Sequence, residues 1–213
     1  MKRLALLGAS GHGKVVADMA LLSGWDDVSF FDDAWPQCER NGPWSVKGDT
    51  AALIARLPHF AGVVVSIGDC KVRWHKHKIL LDAGARMASI VHPAAIVSPR
   101  AVLGVGTVVM AGAVVNIDVV VGQAAIINTG ASVDHDCHLG DSVHVSPGAH
   151  LAGGVRVGEG VWLGIGATVK QGIEIGNYAV VGAGAVVLSS VSPGVTVIGH
   201  PALPKALNQT PSN

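Results

Sequence analysis

The sequence is short of charge, of aromatic side chains and of long apolar runs. Charged residues make up 14% and aromatic residues 4% of its 213 residues, and the formal net charge is zero. This balance argues against nucleic acid or an anionic membrane surface as a partner. No apolar stretch approaches the length of a membrane span. The apolar run after Arg3 is broken at Gly8, so we expect it to be too short for a signal-peptide core.

Cysteine is also scarce. Cys38, Cys70 and Cys137 are odd in number and far apart in the chain. They therefore predict neither a disulfide framework nor a paired-cysteine metal site. We expect a cytoplasmic protein in a reducing compartment.

Charge is distributed unevenly along the chain. Residues 1–86 contain 11 Lys or Arg and 9 Asp or Glu, whereas residues 87–213 contain only 4 and 6. A long segment with so few charged side chains must hide much of its surface. Self-association is the simplest way to do so, and we expect a homotrimer.

The charge-poor segment contains an internal repeat of six residues. From Val91 to Val187, every sixth residue is Val, Ile or Leu. A small residue usually follows four positions later, and five glycines recur at intervals of eighteen: Gly104, Gly122, Gly140, Gly158 and Gly176. A period of six inside a superperiod of eighteen predicts a coil with three short flat sides, each pointing one aliphatic side chain inward. We expect about five and a half such coils over residues 89–189, with glycine supplying unusual backbone angles at the corners.

The first part of the chain alternates strand and helix patterns, which predicts a parallel sheet. The predicted strands are residues 4–7, 28–31 and 63–67, and the predicted helices are residues 14–22, 51–57 and 71–84. Ligands bind such sheets at the carboxyl ends of the strands. Three polar segments occur there: the glycine loop 8–13, the acidic pair Asp32 and Asp33, and residues 68–69.

The glycine loop has the spacing G-x-x-G-x-G and opens a helix, so its N–H groups could bind phosphate. The acidic pair could bind a ribose or a base. A simpler interpretation is a tight turn with helix-capping acids. Binding of NAD is less favoured, since this segment supplies only half of a dinucleotide fold.

Histidines are concentrated in one part of the repeat. His138, His144 and His150 each precede an inward aliphatic residue and lie six apart, hence on different sides of the coil. They cannot converge on one zinc ion within a chain, and we predict no metal site. His135 breaks this register and lies between Asp134 and Asp136, an arrangement suited to a general base. A solvent-facing polar corner is the alternative.

Motifs along almost the whole chain, residues 3–204, give a resemblance to a known family. They are GASGHG after the first strand, FDD after the second, SIG after the third, then INT, DHDC, HVSPGAHLAG and a C-terminal IGHPA. This set resembles the bacterial nucleotide-sugar N-acetyltransferases that modify 4-amino sugars, which are relatives of the sialic-acid O-acetyltransferases. The resemblance implies a left-handed parallel β-helix after a nucleotide-binding α/β domain.

The resemblance also implies roles for individual residues. The catalytic pair would be the base His135 with Asp136, although some family members carry Glu where this chain has Asp136. The nucleotide-sugar site would comprise Ser10, Gly11, His12, Asp32, Asp33 and Gly68. The acetyl-CoA groove would be lined by His144, Gly153, Ile165 and Ala183.

These implications give a mechanism. The amine of a nucleotide-linked 4-amino-deoxy sugar, UDP-linked by preference and GDP-linked as an alternative, attacks acetyl-CoA directly while His135 takes its proton. Gly153 N–H is a candidate oxyanion donor. Cys137 is a rival nucleophile, but its small corner position favours packing. O-acetylation of a sugar hydroxyl, transfer to another small acceptor and a non-catalytic nucleotide-sugar-binding scaffold remain open.

The expected domain organisation has three segments. Residues 1–88 form the nucleotide-sugar-binding domain and residues 89–189 the β-helix acetyltransferase domain. Residues 190–213 form a C-terminal segment that ends in NQTPSN, predicted to be an untethered tail.

Overall fold

The chain folds as an α/β part followed by a parallel β-helix, and the computed structural model describes residues 1–205. The first part has a three-stranded parallel sheet in the order β2-β1-β5. It also has a two-stranded antiparallel hairpin formed by β3 and β4. The strands are β1 Arg3–Leu7, β2 Asp27–Phe31, β3 Arg40–Asn41, β4 Trp44–Ser45 and β5 Gly62–Val65.

Three α-helices accompany this sheet: α1 Gly11–Leu22, α2 Thr50–Ile54 and α3 Cys70–Asp82. Helix α1 begins three residues earlier than the sequence predicts, directly in the glycine loop, with Ser10 at its N-cap. The helix predicted over 51–57 is shorter, and a separate 3₁₀ turn follows at Leu57–His59. Pro58 explains this break, since a residue that precedes proline is disfavoured in helical conformation.

The β-helix has three flat sides, each a stack of two- or three-residue parallel strands, and makes about six turns. The first side contains β7 Ile96–Val97, β10 Val114–Val115, β13 Ser132–Val133, β16 His150–Leu151, β19 Thr168–Val169 and β22 Val186–Val187. The second side contains β8 Val102–Leu103, β11 Val120–Val121, β14 His138–Leu139, β17 Arg156–Val157 and β20 Glu174–Ile175. The third side contains β6 Ile90–Val91, β9 Val108–Val109, β12 Ile126–Ile127, β15 His144–Val145, β18 Trp162–Leu163, β21 Val180–Val181, β23 Thr196–Ile198 and the antiparallel β24 Leu203–Pro204.

The inward column is the one that the repeat predicts. The second residue of nearly every two-residue strand is an aliphatic that packs on its equivalents in the coils above and below, as Val133 does between Val115 and Leu151. The small residues that recur between strands, such as Ala113 and Ala149, are fully buried at the corners. The six-residue period therefore encodes one continuous apolar core.

We expected the glycines at eighteen-residue intervals to supply unusual backbone angles, and this expectation is wrong. Gly104, Gly122 and Gly140 do not have left-handed backbone angles; a methyl group on each would lie within 2.7 Å of the next coil's backbone. These glycines are therefore required for close coil-to-coil approach at the corner between the second and third sides. Left-handed angles occur two residues later along the same corners, for example at Gly106 and Gly160.

The two parts of the chain share a buried interface on the third side. The outward side chains of its first coils, Ile90, Val108 and Ile126, are buried in one cluster with Leu4 and Val16 of the first part. On a charge-poor β-helix, this packing covers apolar surface that a free β-helix would expose. The first coils of the third side are therefore covered by the α/β part of the same chain.

No helix among residues 1–205 is both long and apolar enough to cross a membrane. After the last complete coil, β23 and β24 form a short hairpin-like cap on the third side. The predicted NQTPSN tail lies outside the described residues.

Candidate functional site

The DHDC segment forms the turn between β13 and β14, which we call the base corner (residues 134–137). His135 Nδ1 lies 2.7 Å from Asp136 Oδ2, and the two side chains are 61% and 64% exposed. Asp136 has a left-handed backbone angle, φ 61°, which Asp tolerates better than most residues. The hydrogen bond that His135 donates to the Asp136 carboxylate raises the pKa of His135. Because the carboxylate accepts, the proton lies on Nδ1, and Nε2 keeps its lone pair for an incoming proton.

The imidazole of His135 packs directly on Gly153 of the next coil. A methyl group at Gly153 would lie 2.5 Å from Cε1 and 2.6 Å from Nε2 of this ring. Gly153 does not have a left-handed backbone angle, so the turn itself does not require glycine. Glycine is needed here because any side chain would collide with the His135 ring. The backbone of the corner is fixed by a 2.9 Å hydrogen bond from Gly154 N–H to the His135 carbonyl. The base is therefore exposed but held in one position.

Cys137 ends the same corner but faces the core. It is fully buried, and its Sγ lies 3.2 Å from the Ala152 carbonyl oxygen. Burial raises the pKa of this thiol, which disfavours the thiolate that a nucleophile needs. The packing role that the sequence favoured for Cys137 agrees with these contacts.

The glycine loop and residues 68–69 meet at the carboxyl ends of β1 and β5, as parallel strands require. Two of the glycines are demanded by the fold: a methyl group at Gly8 would overlap Ile67, and one at Gly13 would overlap the Gly8 carbonyl. Gly11 and Gly68 are different, since a methyl group on either meets no atom within 4 Å. Their lack of a side chain leaves open space at this edge of the sheet, where a ligand could approach the backbone closely.

The acidic pair after β2 is occupied by contacts within the chain. Asp32 accepts hydrogen bonds from the N–H groups of Ala9, at 2.7 Å, and Ala34, at 2.9 Å, so it fixes the glycine loop. Asp33 accepts from Lys76 Nζ and from Thr50 N–H and Oγ1. Burial opposes ionisation of Asp33, but these hydrogen bonds prevail and lower its pKa to about 2.

Asp32 and Asp33 nevertheless line a pocket of about 210 Å³ with Gly8, Ile67 and Lys76. Hydrogen bonding within the chain and pocket lining thus coexist in the same two carboxylates. The N-cap of α2 is a different acid, Asp49, which accepts a hydrogen bond from Ala52 N–H at 2.8 Å.

His144 lies where the first part of the chain meets the third side. Only 8% of its surface is exposed. Its Nδ1 donates to the Gly68 carbonyl at 3.2 Å, which leaves Nε2 to accept from Asn128 Nδ2 at 3.1 Å. Its ring centroid is 6.4 Å from that of His12. Burial, reinforced by the Arg73 charge, lowers the pKa of His144 to about 3 and that of His12 to about 4, so both are neutral near pH 7.

The remaining predicted acetyl-CoA residues, Ile165 and Ala183, stack on successive coils at the corner between the third and first sides. Gly184 N–H donates to the Ile165 carbonyl at 2.8 Å, and Ile165 is largely exposed. The whole width of the first side separates this corner from the base corner.

The predicted residues therefore form three groups within one chain. His135, Asp136 and Gly153 are together at the base corner. Ile165 and Ala183 are together at the opposite corner of the first side. The nucleotide-sugar residues and His144 lie around the junction: Ser10, Gly11, His12, Asp32, Asp33, Gly68 and His144.

A groove of about 650 Å³ runs lengthwise along the second side, past His138, Arg156 and Glu174. It begins next to the base corner, since His138 Nδ1 lies 3.1 Å from the Asp136 carbonyl. None of the four predicted acetyl-CoA residues lines this groove.

The three histidines at six-residue spacing lie on the second, third and first sides, as predicted. Within residues 1–205, no group of three or more His, Cys, Asp or Glu is arranged to hold a metal ion.

The sequence did not reveal Arg73, which links the two parts of the chain. This buried guanidinium donates to the carbonyls of Ile67, Gly68, Ala124 and Ser142 at 2.7–2.8 Å. It thereby ties the loop after β5 to the corner between the second and third sides. An arginine in a helix that also contains Lys71, Lys76 and Lys78 gives no sequence signal for such a role.

The sequence also left Asn128 and Trp162 without a role. Asn128 occurs in the quoted INT motif and could have been noticed there. Trp162 is the only aromatic residue at an outward strand position of the repeat within the described chain, which is a signal in itself.

Comparisons with known proteins match both parts of the chain. Residues 3–80 match the PglD N-terminal domain family, and residues 154–189 match the bacterial transferase hexapeptide repeats. The acetyltransferase domain of PglB from Neisseria gonorrhoeae FA1090, solved with acetyl coenzyme A, is 40% identical, covers 96% of this chain and 99% of its own, and has a TM-score of 0.92. The chain belongs to this family of hexapeptide-repeat nucleotide-sugar N-acetyltransferases.

Two further members of the family show its range of substrates. PerB from Caulobacter crescentus, solved with CoA and GDP-perosamine, is 39% identical, covers 97% of this chain and 98% of its own, and has a TM-score of 0.92. The UDP-N-acetylbacillosamine N-acetyltransferase of Bacillus subtilis (strain 168) is 38% identical over 115 residues, 52% of each chain. The match therefore spans about half the length of this curated relative. The family and enzyme class that the sequence predicted are confirmed.

Proposed function

We propose that this member of the family transfers acetyl from acetyl-CoA to the amino group of a nucleotide-linked 4-amino-deoxy sugar. The observation that carries the proposal is the base corner. An exposed imidazole is oriented by Asp136 and supported by Gly153, with Nε2 available to accept a proton. An imidazole with one ring nitrogen bonded to a carboxylate and the other available is suited to act as a general base.

The proposed reaction needs no covalent enzyme intermediate. The lone pair of the sugar amine attacks the thioester carbon, and His135 Nε2 takes the amine proton as the C–N bond forms. Asp136 stabilises the imidazolium. Collapse of the tetrahedral intermediate breaks the C–S bond, and the imidazolium returns its proton to the CoA thiolate. Gly153 N–H, beside the ring, is our candidate donor to the oxyanion.

The nucleotide moiety is proposed to bind at the junction. Open space at Gly11 and Gly68, the N–H groups at the start of α1, and Ser10 support this assignment. His12, Asp32 and Asp33 complete the proposed site. The curated relative is named for a UDP-linked sugar and PerB was solved with a GDP-linked one, so the comparisons support either nucleotide. We keep UDP as the first choice and GDP as the alternative.

A homotrimer is proposed because the groups that must cooperate lie on different sides of one chain. The nucleotide site lies on the third side, whereas His135 lies between the first and second sides. A threefold arrangement could bring the base corner of one subunit to the junction of its neighbour. Acetyl-CoA would lie between them, lined by His144, Gly153, Ile165 and Ala183. A stable monomer in sedimentation at micromolar concentration would contradict this arrangement.

The function is tested by incubating the protein with acetyl-CoA and a panel of UDP- and GDP-linked 4-amino sugars, with the corresponding 4-hydroxy sugars as controls. We expect release of CoA with one amino sugar and none with its hydroxyl counterpart. Acetylation of the hydroxyl sugar instead would make the enzyme an O-acetyltransferase. No transfer to any acceptor would favour a binding scaffold.

Calorimetry on a variant of the glycine loop tests where the nucleotide binds. Gly11→Val would fill the open space at the start of α1 and should weaken nucleotide-sugar binding about tenfold or more, while acetyl-CoA binding changes little. Equal losses for both ligands in calorimetry would reject separate sites.

We propose the cytoplasm as the location, where acetyl-CoA is available and where the three free cysteines stay reduced.

A further inference from the structure

Trp162 is unusual among the outward side chains of the third side. The first three, Ile90, Val108 and Ile126, are aliphatic and buried beneath the α/β part. Trp162 lies beyond this cover on β18 and is 44% exposed. Its Nε1–H donates to Ser146 Oγ at 2.9 Å, which fixes the plane of the indole. A large, rigid and exposed aromatic surface on an isolated coil position needs an explanation other than core packing.

The indole belongs to a column of three rings that starts at the glycine loop. The ring of His144 lies parallel to that of Trp162, with centroids 5.8 Å apart and an interplanar angle of 1°. The centroid of the His12 ring lies 6.4 Å from that of His144, and the two rings are tilted by 43°. The column thus connects the start of α1 with the exposed part of the third side. A ligand that begins at Gly11 and extends along the β-helix would reach Trp162.

Hydrogen bonds hold this column to the proposed nucleotide site. His144 is fixed between the Gly68 carbonyl and Asn128, and Gly68 is itself held by Arg73. The position of the indole is therefore coupled to the loop after β5. Ile165, at the corner that follows the same strand, is also exposed and adds apolar surface near the indole.

We propose that Trp162 is the sugar-binding platform of this enzyme and stacks against the apolar face of the hexose ring of the nucleotide sugar. The proposal rests on the proposed function and adds a subsite to it. One face of a pyranose ring presents mainly C–H groups, and the methyl group of a 6-deoxy sugar extends that apolar surface. A planar indole complements it, whereas a nucleoside diphosphate without the sugar gains nothing from the contact. Stacking would hold the ring and leave the 4-amino group at its edge free to react.

The test compares Trp162→Ala and Trp162→Phe in the intact protein. Calorimetry would measure the dissociation constants of a UDP-linked 4-amino-6-deoxy sugar and of UDP, or of the GDP pair if the wild type prefers it. We expect Trp162→Ala to bind the nucleotide sugar about tenfold more weakly, the size of one aromatic contact, and the free nucleotide within twofold of wild type. Trp162→Phe should recover most of the loss. Unchanged binding of the free nucleotide also shows that the variant is folded.

Several results would overturn the platform. Equal weakening of the free nucleotide would assign Trp162 to the nucleotide, and weakening of acetyl-CoA alone would assign it to the cofactor. Wild-type affinity for the nucleotide sugar in Trp162→Ala would remove the subsite and leave the proposed function intact. Failure of the wild type to bind any nucleotide amino sugar would reject the proposed function itself, so the two failures are distinguishable.

Discussion

The base corner and the domain junction place two histidines of the same coil in opposite environments. His135 is exposed, bonded to a carboxylate, and has a raised pKa. His144 is buried, bonded to a carbonyl and an amide, and has a pKa of about 3. One ring is suited to gain and lose a proton during a reaction, and the other is kept neutral. The comparison teaches that the partner and the solvent exposure of a histidine decide its chemistry.

The largest expected effect separates these two histidines. His135→Ala should lower turnover by ~10²–10⁴, the usual contribution of a general base, with little change in either KM. Steady-state kinetics would measure this change. His144→Ala should instead raise the KM for acetyl-CoA, because His144 is proposed to line the acetyl-CoA groove. Near-full turnover in His135→Ala combined with inactivity of Cys137→Ala would require an acyl-cysteine route.

The second effect concerns acid stability. His12 and His144 are neutral in the folded protein, with pKa values of about 4 and about 3, but titrate near 6.5 when unfolded. Below pH 6.5 the unfolded chain binds more protons, so stability falls as pH falls toward the folded pKa values. Between pH 7 and pH 5 each histidine should cost about 2 kcal/mol of unfolding free energy.

Urea unfolding at both pH values and one protein concentration measures this loss. His144→Gln should reduce the dependence on pH, and His150→Gln, an exposed histidine on the first side, is the matched control. An identical pH dependence in wild type and His144→Gln would mean that His144 is not held neutral at the junction.

The β-helix and the α/β part also differ in how much of them could be predicted. The inward column from Val91 to Val187 was read from spacing alone, because every coil repeats one local rule. The α/β elements were placed with errors of a few residues, because α2 ends before Pro58 and α1 starts inside the glycine loop, at Gly11. The physical reason for Gly104 and its equivalents was missed, since close approach between coils is a contact between residues distant in sequence.

The candidate site was only partly predictable for the same reason. His135 and Asp136 are neighbours, so the sequence shows their pairing directly. The ring of His135 meets Gly153 only after one full coil, and the environment of His144 depends on Gly68 and Arg73 from the other part of the chain. The family resemblance identified Gly153, His144 and Gly68 as candidate site residues, but only the structure shows what they contact.

The third effect tests the support beneath the base. Gly153→Ala should push the imidazole out of position and lower turnover by roughly tenfold or more, since catalytic groups tolerate little displacement. The double variant His135→Ala/Gly153→Ala is the control, because a methyl group cannot displace a ring that is absent. We expect the double variant to be no slower than His135→Ala alone. A further loss in the double variant would show that Gly153 acts independently of the ring, for example through its N–H at the oxyanion.

The smallest effect isolates the carboxylate at the base corner. Asp136→Asn replaces the acceptor of the His135 Nδ1 proton with a neutral amide at the same left-handed turn position, which Asn tolerates well. The raised pKa of His135 depends first on this hydrogen bond. Its loss should therefore lower the midpoint of the pH–rate profile, because the free base persists to lower pH, while the plateau rate falls by less than in His135→Ala. Asp134→Asn is the matched control: Asp134 is bonded to Asn116 and contributes only through its charge, so its shift should be smaller. A midpoint that moves upward in Asp136→Asn, or moves equally in both variants, would mean that Asp136 does not set the protonation of the base.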